Sequence, residues 1–354
     1  MPSSAQRLLT RIAAVSIVLL TTSAVRAQER WVKRAPFPEP SQEIAGAAAN
    51  GKLYIFGGLR AEPNSTPKGL VWEYDAAADK WTKKKPMPLP AHHLAVAEYH
   101  GKIYLFGGGA QRVPGGGNWF PINNAWEYDP ATDSWKALAP MPTARGAAVA
   151  AAVGDKIYVI GGASVHPRAQ LVSLGPNPIL PHRALPTNEA YDPATNTWET
   201  RSPMPTARNH AAIGVVNGKI YVLGGRIGSV FVGASPTDVV EEYDPATDMW
   251  SFAKARMPMP RTGTAYGTYE NKIYVAGGEY LDNDVVGTYR DLDEFDPITD
   301  TWTSLPPLSI PRHGLVGAVI GNHFYVVSGH MQSASVFGDV MDSEENDAFE
   351  LPEN

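Results

Sequence analysis

The chain of 354 residues contains no cysteine. That excludes disulfides, thiol nucleophiles and thiolate metal sites. An excess of positive charge is missing too: 30 Lys and Arg stand against 36 Asp and Glu, a formal net charge of −6. Such a balance lacks the electrostatic footprint of a nucleic-acid or anionic-membrane binder. Long hydrophobic runs are also lacking, and the apolar stretch at residues 12–20 is too short to cross a bilayer. Familiar catalytic signatures are absent: there is no G-x-S-x-G and no H-E-x-x-H. Gly51-Lys52, Gly101-Lys102 and Gly218-Lys219 are followed by Leu or Ile where a phosphate loop has Ser or Thr. Asp282-Asn283-Asp284 with Gly287 approaches a calcium loop, but Val286 occupies the fifth position, which needs an oxygen ligand.

What the chain does have is glycine and proline, 33 and 31 residues, and a repeat that uses them. Residues 1–27 carry Arg7 and Arg11, then the short apolar stretch, then Val25-Arg26-Ala27, the pattern of a cleaved secretory leader. The expectation is a periplasmic or secreted protein, free of the membrane after cleavage. Losing three arginines takes the mature chain, residues 28–354, to a net charge of −9.

The phrase AVAAAVGDKIYVIGG, residues 148–162, reads as strand, two-residue turn, strand and diglycine. Related phrases end at Gly58, Gly108, Gly225 and Gly278, with a worn copy at Gly329. The period is near fifty residues, and a strand-based repeat of that size means a propeller. Turn pairs such as Asn50-Gly51 and Asn217-Gly218 suit the positive φ of a tight hairpin. A third strand carries Trp72-Glu73-Tyr74-Asp75 and its relatives; a fourth opens with Trp81, Trp135, Trp198, Trp250 or Trp302. The sixth copy runs out after Ala348-Phe349-Glu350, and its missing fourth strand stands at the other end as Arg30-Trp31-Val32. The N-terminal strand is therefore predicted to complete the last blade and hide the open edges. The fold class is all-β, a six-bladed propeller, with blades at approximately 42–85, 92–138, 145–201, 208–255, 261–305, and 312–350 plus 30–35.

Diglycine after an apolar strand, Tyr-Asp before a turn and Trp six residues later resemble the kelch repeat. The resemblance implies the propeller and leaves the activity open, because kelch propellers include adaptors, oxidases, isomerases and structural proteins.

Registering the copies on the diglycine brings out a candidate site. Sixteen residues before it stand Ser41, Ala91, Arg145, Arg208, Arg261 and Arg312; next come Gln42, His92, Gly146, Asn209, Thr262 and His313. One further are Glu43, His93, Ala147, His210, Gly263 and Gly314. Equivalent positions lie on circles around the axis, so four arginines are expected to converge at one mouth. Arginine here resembles that of substrate-adaptor kelch domains, where it lines a pocket for acidic peptides. Guanidinium forks suit carboxylate or phosphate. In the alternative, they bond loop carbonyls or pair with Glu43, Glu189, Glu241 and Asp293. The expected binding set is Arg145, Arg208, Arg261, Arg312, Asn209, His92 and His93, with Trp119 and Arg168 from the loops after the diglycines. The longest of those, residues 163–188, is a candidate lid, and Trp119-Phe120 offers rings that stack on a sugar or pin the loop.

The leading expectation is a monomeric propeller binding a small anionic ligand, a sugar acid or an acidic peptide. The enzyme alternative is a cofactor-independent sugar epimerase or mutarotase. Exported kelch proteins that interconvert sialic acid anomers resemble this chain, and His210, His313 or Glu43 would then move the proton. The third alternative is a protein-interaction scaffold. No cofactor and no metal are expected. His92 and His93, as neighbours on a strand start, would point to opposite faces, whereas His210 and His313 meet only near the axis. Galactose-oxidase-like enzymes need a tyrosine cross-linked to cysteine, which this chain lacks, so that copper chemistry is not expected here.

Overall fold

Each repeat folds as a four-stranded antiparallel sheet, and six such sheets make the molecule. The computed structural model describes residues 30–60, 66–111, 119–170, 172–174, 177–228, 235–282, 285–333 and 341–352. The leader-like segment, the residues before Trp119 in its loop and the Asn283-Asp284 pair lie outside them. No helix occurs among the described residues.

Blade one shows the plan. Its innermost strand Ala45–Ala49 pairs with Lys52–Phe56, which pairs with Val71–Asp75, which pairs with the outer strand Lys80–Lys83. The innermost strand is small and the second is buried almost throughout, since neighbouring blades cover both faces. The last blade is assembled as the sequence predicts: Trp31–Lys33 pairs with Asn346–Glu350, outermost in the sheet of His323–Val327 and Val316–Ile320.

Three circles of hydrogen bonds join the blades. In the outer circle each fourth-strand tryptophan donates its indole N–H to the carbonyl leaving the preceding blade. The pairs are Trp31 to Pro306, Trp81 to Ala35, Trp135 to Lys85, Trp198 to Ala139, Trp250 to Ser202 and Trp302 to Ala255. In the middle circle the second glycine of each pair donates to the next blade's lead-in, for example Gly58 to Ala91 and Gly108 to Arg145. Gly329 closes it by donating to Ser41. The diglycine is required because the next blade is so close: a Cβ on Gly57 would stand 2.2 Å from the Ala91 carbonyl oxygen.

The inner circle surrounds the axis. Glu43, His93, Ala147, His210, Gly263 and Gly314 each donate a backbone N–H to the carbonyl of the one before, and Glu43 donates to Gly314, all at 2.8–3.1 Å. All six are left-handed, with φ between 53° and 64°. Glycine takes that conformation freely, but Glu, His and Ala occupy it at a cost. Apolar clusters fill the wedges between blades, such as Phe56, Leu105 and Tyr128 between blades one and two.

The hairpin turns follow the sequence reading in most blades. Asn50-Gly51, His100-Gly101, Asn217-Gly218 and Glu270-Asn271 have positive φ at both residues; Gly154 and Gly321 have it at the first only.

Candidate functional site

The four arginines do not face an opening. Arg145, Arg208, Arg261 and Arg312 are among the largest fully buried side chains. Each pairs with an acid at the second position of its own blade's third strand: Arg145 with Glu189, Arg208 with Glu241, Arg261 with Asp293 at 2.7 Å and Arg312 with Asp347 at 2.6 Å. A second guanidinium nitrogen donates to a strand carbonyl, as from Arg145 to Val159 at 2.9 Å and from Arg208 to Val222 at 2.8 Å. Burial lowers the pKa of Arg145, Arg208 and Arg312, against the raising effect of the paired carboxylates. In blades one and two the arginine positions hold Ser41 and Ala91, and the acid positions hold Trp72 and Trp126. Arginine and acid thus occur together or not at all. The ring of cations expected at the mouth is instead a set of internal spokes, neutralised within each blade.

The axis carries a different constellation. Six of the chain's nine histidines, His92, His93, His182, His210, His313 and His330, gather where the innermost strands begin. All six are buried. His92 and His93 do not diverge as strand neighbours would; their Nδ1 atoms touch. The cause is the left-handed backbone at His93, φ 55°, which breaks the alternation of an extended chain. Trp119 packs against both rings, at 4.6 Å from His92 and 4.4 Å from His93 between centroids. A cleft of about 10 Å³ remains between them, His182 and His210, room for one water at most.

Beneath the inner circle runs the central channel, a cavity of about 90 Å³ with Glu43, His93 and His210 at its head and Val96, Val149 and Tyr266 among its walls. His93 Nε2 lies 2.9 Å from Glu43 Oε2, and His313 Nε2 lies 3.9 Å from Glu43 Oε1. His210 Nδ1 meets Asn209 Oδ1 at 2.6 Å, and Arg226 Nε donates to the same oxygen at 3.1 Å. Arg226 also faces His210 Nε2 at 3.0 Å and Glu279 at 3.4 Å. Burial would raise the Glu43 carboxyl, but His93, His210 and His313 outweigh it and hold it well below the usual range. Burial, reinforced by Arg226 and His93, holds the His210 ring well below the ordinary histidine value.

The structure therefore brings together Glu43, His92, His93, Asn209, His210 and His313, with Trp119 over them. Arg168 is exposed on its loop and takes no part. Arg226, Glu279 and His330 are not singled out by the sequence; each lies one residue past a diglycine-position pair, at the start of the loops that vary in length between copies.

The architecture and its repeated Tyr, Trp and diglycine contacts define a six-bladed propeller of kelch repeats. The KLHDC2/KLHL20/DRC7 Kelch-repeats domain matches residues 14–174 and 182–339, and the Kelch motif matches residues 144–205. The chain belongs to the kelch-repeat family. It is similar to Kelch-like protein terF of Aspergillus terreus, 28% identical over 217 residues, 60% of this chain and 44% of that protein. Kelch repeat and BTB domain-containing protein 12 of Homo sapiens is 33% identical over 185 residues, 50% of this chain and 28% of that protein. Beta-scruin of Limulus polyphemus is 32% identical over 194 residues, 53% of this chain and 19% of that protein. The chain spans less than half the length of each.

Proposed function

We propose that this propeller is a protein-interaction scaffold that binds an apolar segment of a partner protein on blades four and five. The observation that carries the proposal is the distribution of large exposed apolar side chains. Among the described residues there are eight, and seven of them, Ile227, Met249, Phe252, Met259, Val285, Val286 and Ile298, fall within residues 227–298. Phe252 is 75% exposed and Val285 57% exposed. Five of the seven lie toward the end of the propeller where the loops after the diglycines emerge, from the small sheet Arg226–Ile227 with Ser235–Pro236 to the hairpin strand Val286–Thr288. Concentrated apolar exposure marks interaction surfaces, whereas scattered single residues do not. Rigid scaffolds present binding residues on such loops.

An anionic ligand held by arginines is not proposed, because the four guanidiniums are engaged by acids of their own blades. On the leader-like residues 1–27, the interaction takes place outside the cytoplasm. Phe252→Asp combined with Val285→Asp is expected to leave the melting temperature within about 1 °C, since both side chains are exposed, and to abolish co-purification of an extracytoplasmic partner. Undiminished co-purification, or a cytoplasmic partner, would contradict the proposal.

A further inference from the structure

We propose that Glu43, His93 and His210 form a binding site for a divalent first-row transition metal, zinc above all, at the head of the central channel. His313 supplies a fourth ligand from the neighbouring blade. One ligand atom from each of the first three lies within 4.8 Å of the others. A tetrahedral zinc with bonds of about 2.0–2.1 Å holds its ligand atoms about 3.3–3.5 Å apart, so rotations of χ angles close the remaining distance. Two imidazoles and a carboxylate suit Zn²⁺, Fe²⁺ and their neighbours rather than calcium or magnesium.

The hydrogen bonding around the rings leaves the right nitrogens for a metal. Asn209 Oδ1 can only accept, so His210 Nδ1 donates to it and Nε2 keeps its lone pair. That bond is the kind of outer contact that orients a metal-ligating histidine. His93 Nδ1 is taken up by His92, which turns Nε2 toward Glu43. His93 Nε2 is buried and makes no well-formed hydrogen bond despite its 2.9 Å approach to the carboxylate. His313 is fully buried, and neither of its ring nitrogens has a hydrogen-bond partner. A buried imidazole without partners is costly in a finished core and is what a ligand position requires.

Charge points the same way. Glu43 and Glu279 both approach His313 Nε2, at 3.9 and 3.7 Å, and Arg226 stands against Glu279 at 3.4 Å, so the Glu43 carboxylate is the one that faces the imidazoles. Arg226 stands 3.0 Å from His210 Nε2 and must withdraw toward Glu279 when that nitrogen binds a metal. The cavity beneath the site has room for waters to complete the coordination.

The test uses the full chain, stripped with a chelator, exchanged into chelator-free buffer and titrated with Co²⁺ and then Zn²⁺. One Co²⁺ per chain is expected, with visible d–d bands of a nitrogen and oxygen shell, displaced by one Zn²⁺. His93→Ala with His210→Ala is expected to weaken uptake at least about tenfold, and His323→Ala, on the second strand of blade six, to leave it unchanged. If the double variant fails to fold, X-ray absorption of the zinc-loaded natural chain replaces it, with two or three imidazoles and a carboxylate oxygen expected in the first shell. Absence of stoichiometric uptake, uptake that survives the double variant, or a first shell without imidazole would each overturn the proposal. In the first of those cases the site is a His93–Glu43 contact and nothing more.

Discussion

At the scale of single residues, the arginine spokes tie the lead-in of the innermost strand to the third strand inside each of four blades. A buried ion pair contributes little against a well-packed apolar replacement, yet removing one partner leaves a bare charge and costs about 3–5 kcal/mol. Arg208→Ala is therefore expected to lower unfolding free energy by that order, measured in urea, because Glu241 would remain buried. Adding Glu241→Trp rebuilds the Ala91 and Trp126 pairing of blade two and is expected to recover a substantial part of the loss. A double variant as unstable as the single one would contradict the pairing. The arginines were legible as a repeated feature, and of the two directions weighed for them the structure takes the alternative, pairing with Glu189, Glu241 and Asp293. The co-occurrence of Arg with acid in four blades, and of Ser or Ala with Trp in two, was present in the sequence and pointed inward.

His182 gives a residue-scale pH dependence. Burial, with His93 nearby, lowers its pKa from 6.5 to about 4 against the raising effect of its backbone contact to Trp119. The unfolded chain then binds that proton more readily than the folded one. The contribution to stability is complete above about pH 6.5 and is lost as the pH falls toward 4. The melting temperature is expected to fall across that window, and less steeply in His182→Asn. Equal slopes would assign the acid sensitivity to other groups.

At the scale of elements, the hairpins, the diglycines and the third and fourth strands were readable because each depends on local chemistry: positive φ, close backbone approach, a tryptophan at a fixed step. What the sequence left hidden was the meeting of residues from different blades. His93, His210 and Glu43 stand far apart in the chain and converge only once the inner circle closes, and the opposed orientation expected of His92 and His93 failed because one residue turns left-handed. The N-terminal strand was readable from its tryptophan and proline pattern. Deleting residues 28–33 removes the ladder to Asn346–Glu350 and the Trp31 indole bond to Pro306. A fall in melting temperature of more than about 5 °C is expected; an unchanged value would mean that closure contributes nothing to stability.

At the scale of the whole molecule, three circles of hydrogen bonds make a stiff ring whose interior charges are mostly matched. On the proposed reading, partner recognition falls to the surface, and among the described residues apolar exposure is concentrated in residues 227–298. The relatives named above share the repeat over 50–60% of this chain and over less than half of their own lengths.

The most direct measurement is site-specific photo-cross-linking in the living cell, with the reactive residue placed at Phe252, at Val285 and at Ala131 on a turn of blade two. Protein adducts at Phe252 and Val285, and none at Ala131, are the expected result. Equal adducts at all three positions, or adducts only at Ala131, would contradict the assignment of the interaction face to blades four and five.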